Sequence, residues 1–345
     1  MTTHRESLRW HHLAWVALTL ALPGCARTVV HIDEDLLIPV QSLNEDRDYT
    51  LGIQFETWDD PADPFAATSV FGRAHAGLDS ALGLHDDPDQ RGPAAWTLGS
   101  VVYTPEDIGA SAPVLSDRPY ASLIYYADKQ VSVREGESAV GTELRFGVLG
   151  LKVADAFQGS LHQYWRSGFN SEEPEDPKGW SNQISHGGEP TLLYRVSTDR
   201  VLSQDGRTSD LSLSTDVNLG YQVNAATGLL WRVGKLDSGP WTTPFDPIGR
   251  ASWQPASTVG ERYLWFGGRV RVVGYDVLLQ GQFRDSDYEV SSGDVERVVG
   301  HGAAGFTVST ARGGRFTYSL NVRTKELESP GRSHVWGSMT FSQRF

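Results

Sequence analysis

Leu211-Ser-Leu-Ser-Thr-Asp-Val-Asn-Leu-Gly-Tyr-Gln-Val223 is the stretch whose reading decides the fold. Leu211, Leu213, Thr215, Val217, Leu219, Tyr221 and Val223 fall on one side of an extended chain. Ser212, Ser214, Asp216, Asn218, Gly220 and Gln222 fall on the other. A period of two means a strand with one apolar and one polar face. A soluble β-sandwich and a membrane barrel both produce that signal, and length separates them. Strands of soluble domains average ~5–6 residues, whereas a strand that crosses a bilayer needs ~9–11. The run from 211 to 223 meets the longer requirement.

The pattern recurs on both sides of this stretch. Thr142, Leu144, Phe146 and Val148 alternate with Gly141, Glu143, Arg145 and Gly147. Val270 and Val272 alternate with Arg269 and Arg271, and Phe316, Tyr318, Leu320 and Val322 with Thr317, Ser319, Asn321 and Arg323. Residues 67–77, 95–104 and 190–197 also read as strands. Asp59-Asp-Pro-Ala-Asp-Pro64 and Asp86-Asp-Pro-Asp-Gln-Arg-Gly-Pro93 read as loops. Backbone groups in lipid must pair with one another, so membrane strands must close on themselves. The expectation is therefore all-β, an antiparallel transmembrane β-barrel. Leu, Val, Phe and Tyr would face lipid, and Ser, Thr, Asp, Gly and Arg the lumen. The mean hydropathy of −0.34 agrees, because only half of each strand is apolar. Terminal Phe345 resembles an outer-membrane barrel assembly signal, although Gln343 is polar where an apolar residue is common.

Residues 1–25 read as an export signal. Arg5 and Arg9 precede the apolar run Leu13–Leu22, which is too short to span a bilayer. Leu22-Pro-Gly-Cys25 resembles a bacterial lipobox with Cys25 at the lipidation position; signal-peptidase cleavage after Ala26 is the rival. Residues 26–345 would then form the barrel. A single Cys excludes a disulfide within the chain. A net charge of −13 disfavours nucleic acid as a partner.

One stretch breaks the β pattern. A strand ending near Gly150 runs into a helical pattern that places Gln158 and His162 four residues apart, one above the other. Phe157, Leu161 and Trp165 form an apolar stripe beside them. Alone, this is a short surface helix with a solvated histidine. The polar loop Asn170-Ser-Glu-Glu-Pro-Glu-Asp-Pro-Lys-Gly-Trp180 follows.

Four stretches together resemble the LpxR-type family of outer-membrane lipid A deacylases. They are Glu34-Asp35; Asp46-Arg-Asp-Tyr-Thr-Leu-Gly52; Tyr103-Thr-Pro105 with Asp117-Arg-Pro-Tyr-Ala121; and Gly147-Val-Leu-Gly150 with Gln158-x-x-x-His162 and Gly179-Trp-x-x-Gln183. The resemblance implies a barrel of about twelve strands, with a short helix in an extracellular loop. It implies calcium-dependent removal of the 3′-acyloxyacyl group from lipid A in the outer membrane, by a monomer. Carried over, His162 is the catalytic histidine, Glu34 and Asp35 stand for the family's Asn-Asp pair, and Thr50 is its threonine. Glu175 stands for a family glutamate, with Glu172, Glu173 and Asp176 as competitors.

The chemistry those residues support is coherent. A neutral histidine near pH 7 can deprotonate water. Asp35 would orient it through its other ring nitrogen, and Gln158 would orient substrate or water. Calcium held by Glu34, Thr50 and Glu175 would act as a Lewis acid toward the oxyanion. No Gly-x-Ser-x-Gly elbow competes with this reading. The chain departs from the family at Glu34, where Asn is expected, and at Leu51. It also lacks basic residues over Ile108-Gly-Ala-Ser-Ala-Pro113. Two alternatives follow: an outer-membrane phospholipase, or a structural or pore-forming barrel without activity. The expected site lies at the rim, where the lumen-side wall meets the helix around His162.

Overall fold

A computed structural model describes residues 27–39, 47–58, 70–85, 91–134, 137–152, 177–251, 260–310 and 313–344. These form twelve strands: β1 (Arg27–Glu34), β2 (Asp48–Trp58), β3 (Arg91–Thr104), β4 (Ala121–Arg134), β5 (Ser138–Leu149), β6 (Glu189–Asp205), β7 (Ser209–Gly220), β8 (Gln222–Lys235), β9 (Arg262–Asp276), β10 (Val298–Ser309), β11 (Arg315–Arg323) and β12 (His334–Arg344). Each pairs with its sequence neighbours, and β1 pairs antiparallel with β12, closing the barrel. No edge is left to face lipid. No described helix is long and apolar enough to cross a membrane, so the strands do the crossing.

The two faces divide as the alternation predicts. Leu192, Leu219, Leu229, Val272 and Phe341 lie on the outer surface, about half exposed. Arg145, Arg195, Arg232, Asp216 and Glu143 are turned inward and almost wholly buried. Apolar side chains also enter the lumen near one rim, where Tyr49, Tyr103, Leu123, Tyr125, Leu193 and Trp336 pack in one buried cluster.

The lumen is filled by side chains and by the β8–β9 connection. Arg250 of that connection bonds Asp199 at 2.9 Å and Asp216 at 3.1 Å. Its Ile248 carbonyl accepts from Arg145 at 3.2 Å and Arg195 at 2.9 Å, and its Asp246 carboxylate binds Arg269. Glu143 is bonded by Arg145 at 2.6 Å, with Lys129 and Arg195 each at 3.6 Å. Opposed, hydrogen-bonded charges are what makes buried ions tolerable.

Two local readings are corrected. Residues 70–81 are not part of a strand; Val70–Ala81 is a helix, α1, in the β2–β3 connection. Its buried residues Gly72, His75 and Asp79 recur at helical spacing. The alternating run also does not extend through Val223. β7 ends at Gly220, whose φ of 142° suits glycine, and Val223 belongs to β8. A one-residue connection preserves the parity of the pattern and so hides the turn. The expected helix around Gln158 and His162 lies outside the described residues, as does the export signal.

The short β4–β5, β6–β7 and β10–β11 turns lie at the rim that also holds the two ends of the described chain, Arg27 and Arg344, together with the long β2–β3 and β8–β9 connections. Outer-membrane barrels turn that rim toward the periplasm and carry longer loops at the other. Glu34, Asp48, Thr104 and Leu149 all stand at the longer-looped rim.

Candidate active site on the outer wall

Register decides which way the N-terminal acids point. Asp33 pairs with Gly52 and Ser338, and Glu34 with Leu51 and Gly337. Asp33 is the lumen residue: it is bonded by His31 at 2.8 Å, Tyr49 at 2.7 Å and Ser338 at 2.5 Å. Glu34, one position on, is therefore turned to the outside. Asp35 opens a 3-10 turn, Asp35–Leu37, and is itself buried. That turn folds over the outer face of β12. A Cβ on Gly337 would meet the Leu37 backbone at 2.7 Å, and the Tyr318 hydroxyl donates to the Leu37 carbonyl at 2.8 Å.

Thr50 reaches the same outer face through a bulge. Tyr49 pairs with Tyr103 and Leu51 with Val102, so Thr50 is the extra residue in β2. An extra residue shifts the side-chain alternation. Tyr49 stays in the lumen, while Thr50 and Leu51 both turn out. The Thr50 and Thr104 hydroxyls are 2.7 Å apart. Leu51 packs with Val102, Ile108, Tyr120 and Trp180 in an apolar cluster on the outer wall.

The remaining motifs cover this patch. Ser122 on β4 donates to Gln183 at 2.8 Å. The Tyr120 hydroxyl donates to the Ile108 carbonyl at 2.8 Å, and the Tyr120 and Trp180 rings lie 4.7 Å apart. Gly179 sits where a Cβ would meet the Tyr120 ring at 2.4 Å. Gly150 has φ 65°, and a Cβ there would stand 2.1 Å from the Ser185 carbonyl oxygen. In sequence, the segment carrying Gln158, His162 and Glu175 lies between Gly150, whose N–H donates to the Ser122 carbonyl at 2.9 Å, and Gly179, against the Tyr120 ring. Those three residues, like Cys25, lie outside the described residues.

Asp117 and Arg118 bind separate side-chain partners. Asp117 accepts from Arg332 at 2.6 Å and from the Glu106 backbone at 2.8 Å. Arg118 donates to Glu326 at 2.6 Å and lies over the Tyr103 ring at 3.9 Å. Arg332 also bonds Asp48 at 2.9 Å. These contacts tie the β3–β4 and β11–β12 loops to the start of β2. Burial would raise the Glu326 carboxyl, but Arg323, Arg118 and Arg271 outweigh it and hold it at about 2.

The structure therefore brings Glu34, Asp35 and Thr50 to one end of β1 and β2, with Glu34 and Thr50 facing outward. Glu34 and Thr50, expected at the lumen-side wall, are turned to the outer wall. Among the described residues, no group of three or more His, Cys, Asp or Glu is placed to hold a metal ion. Glu34 and Thr50 present oxygen donors, the class calcium prefers. Thr104 and Ser122 join the patch without having been assigned a role. Thr104 was within a recognised motif, but only the bulge reveals that it meets Thr50.

A closed barrel with an apolar outer belt, a packed lumen and a loop-covered polar patch on its outer wall is an integral protein of the bacterial outer membrane. The chain belongs to the LpxR family: the family described as "Outer membrane protein LpxR" matches residues 13–345. In structure it is similar to LpxR from Salmonella typhimurium at 16% identity, over 92% of this chain and 100% of that one, with a TM-score of 0.69. The translocator domain of the autotransporter NalP from Neisseria meningitidis matches at 9% identity, over 98% and 96% of the two chains, with a TM-score of 0.40. Among curated proteins nothing matches.

Proposed function

We propose that this protein is a calcium-dependent lipid A 3′-deacylase acting from the outer wall of its barrel. One observation carries the reading: Glu34 and Thr50 face outward, at the longer-looped rim, under loops that bear the family motifs. An enzyme that cuts a lipid within the outer leaflet has to offer its reacting groups to the membrane side of the wall. A lumen blocked by the β8–β9 connection would deny a lipid any inward route, which also counts against the pore alternative.

In this reading His162 takes a proton from water, and the attack breaks the ester by hydrolysis. Asp35 holds the imidazole through its second nitrogen and stabilises the imidazolium that forms. Glu34, Thr50 and Glu175 would hold calcium, which supplies a Lewis acid for the oxyanion when bound. Gln158 orients the substrate or the water. Ionised Glu34 cannot donate a hydrogen bond to a substrate carbonyl as Asn can, so its role here is restricted to accepting and to metal binding.

The test is mass spectrometry of lipid A from expressing cells. Loss of a 3′-acyloxyacyl group supports the reading. Release from glycerophospholipids alone would favour the phospholipase, which the uncharged Ile108–Pro113 segment would suit. Full activity after calcium chelation would remove the metal from the account. Lipidation at Cys25 and a monomeric state are part of the proposal, checked by intact mass and light scattering.

A further inference from the structure

Helix α1 is attached to the barrel on an unexpected side. On β5, Gly141, Glu143 and Arg145 point inward; a Cβ on Gly141 would meet the Ala251 carbonyl of the lumen connection at 2.4 Å. Thr142 and Leu144 therefore point outward. The same parity turns Tyr126, Asp128 and Ser132 of β4 outward, since Tyr125 and Lys129 bond Gln54 and Glu56 inside. On β6, Arg195 is inward and Tyr194 outward. Yet Thr142 and Leu144 are buried, whereas their neighbour Phe146 on the same outer row is 43% exposed. α1 and His85 just after it cover Thr142.

The contacts are specific. His75 Nδ1 is 2.7 Å from the Asp128 carboxylate, and His75 Nε2 is 3.1 Å from the Thr142 hydroxyl. Thr142 donates to Asp79 at 3.0 Å, and the Tyr194 hydroxyl donates to Asp79 at 2.7 Å. Just beyond the helix, His85 contacts Ser132 at 2.6 Å and Thr142 at 3.1 Å. Phe71 meets the Tyr126 ring, with centroids 5.3 Å apart. The polar face of α1 is thus spent on the barrel wall. Its opposite face carries Val70, Ala74, Gly77, Leu78 and Ala81, all exposed, with Leu82 just after it. Arg73 and Ser80 are also exposed; a long basic side chain can reach toward an interface while its stem stays in lipid.

We propose that α1 is an intramembrane helix whose outward face is solvated by the acyl chains of the bilayer, although its connection starts and ends at the periplasmic rim. Three features converge. Its wall partners Asp128 and Thr142 lie well inside β4 and β5, not at their ends. Its exposed apolar face is continuous with the lipid-facing belt of Phe146 and Leu192. Its orientation is reversed from that of a helix on a soluble protein, with polar groups inward and apolar groups outward. A carboxylate on a barrel's lipid face is unfavourable. Asp128 is tolerated because α1 brings His75 to it and excludes hydrocarbon from the whole polar strip.

The experiment uses the full mature barrel in phospholipid vesicles, in a Cys25→Ser background, with a nitroxide attached at Leu78→Cys or Leu82→Cys. Arg207→Cys, in a strand-connecting turn, serves as the aqueous control, and Val270→Cys, on the outer belt, as the lipid control. Both α1 labels are expected to collide with oxygen as readily as the belt label. Their collisions with an aqueous nickel chelate should be at least fivefold fewer than those at Arg207→Cys. Nickel accessibility equal to that at Arg207→Cys would overturn the proposal. Adding His75→Ala with Asp79→Ala should detach the helix and raise the mobility of the Leu78→Cys label. Unchanged mobility would show that the polar contacts do not seat α1, and would overturn that part of the proposal.

Discussion

Gly150→Ala is the change that most directly links local backbone geometry to activity. Gly150 has φ 65°, a region where an L-residue is disfavoured by roughly 1–2 kcal/mol. Its new Cβ would stand 2.1 Å from the Ser185 oxygen, 2.5 Å from the Ser185 carbonyl carbon and 2.7 Å from the Ile184 oxygen. Ordinary contacts begin near ~3.5 Å, so the 184–187 backbone must retreat by about 1 Å or more. That backbone is held by Ile184 N–H donating to Tyr120 at 2.9 Å and Gly187 N–H donating to Gly150 at 3.0 Å. Gln183, on Ser122, would move with it. A 1 Å displacement of a positioned group reduces catalysis by about 10²-fold. Lipid A deacylation by purified Gly150→Ala is therefore expected to fall about a hundredfold, while the folded barrel still migrates as such before heating on a denaturing gel. Gly206→Ala is the control: φ is 55° with nothing within 4 Å of the new Cβ, and activity should be unchanged. Activity of Gly150→Ala within twofold of wild type would refute the claim that this junction positions the site.

Three further outcomes are expected. The Glu326 carboxyl is held at about 2, below its ordinary value of 4.5, so its contribution to stability is complete above pH 4.5 and is lost as pH falls toward about 2. Acid unfolding of Glu326→Gln should lose that part of the pH dependence, and an unaltered profile would contradict the pairing with Arg118 and Arg323. The wild-type barrel should give no steady conductance in a planar bilayer, because the β8–β9 connection occupies the lumen; open-channel currents would contradict this. On the proposed function, an acyl chain laid along the outer wall from Ser122 would meet Phe71 and Tyr126 after four residues, about 13 Å at ~3.3 Å per residue. Phe71→Ala should therefore shift product profiles toward longer chains, and an unchanged profile would dismiss α1 as a floor to the site.

The barrel was legible because a period of two runs through most of the strands and across the reversal at Gly220. The motifs around Glu34, Thr50, Tyr120 and Trp180 were legible as a set. Their facing was not. Asp33, Glu34 and Asp35 are all acids, and only pairing with Gly337 and Leu51 shows Glu34 turned outward. The bulge at Thr50 moves one side chain across the wall without a Gly or Pro at the bulged position to announce it. α1 escaped notice for a different reason. A helix between lipid and a barrel buries polar residues and exposes apolar ones, the reverse of the usual expectation. The lumen connection, rich in Gly, Pro and Asp, has the composition of a surface loop, but its Asp246 and Arg250 are satisfied by charges that only the closed barrel assembles.

The central claim is that an outward-facing site at the end of β1 and β2, completed by His162, cuts an acyl ester of lipid A. Its most direct test is acyl release from purified lipid A in the presence of calcium, comparing wild type, His162→Ala and Glu34→Ala. The account predicts release by wild type, none by His162→Ala and a strong loss in Glu34→Ala, with all three barrels folded. Equal release by all three, or none by the folded wild type, would contradict it.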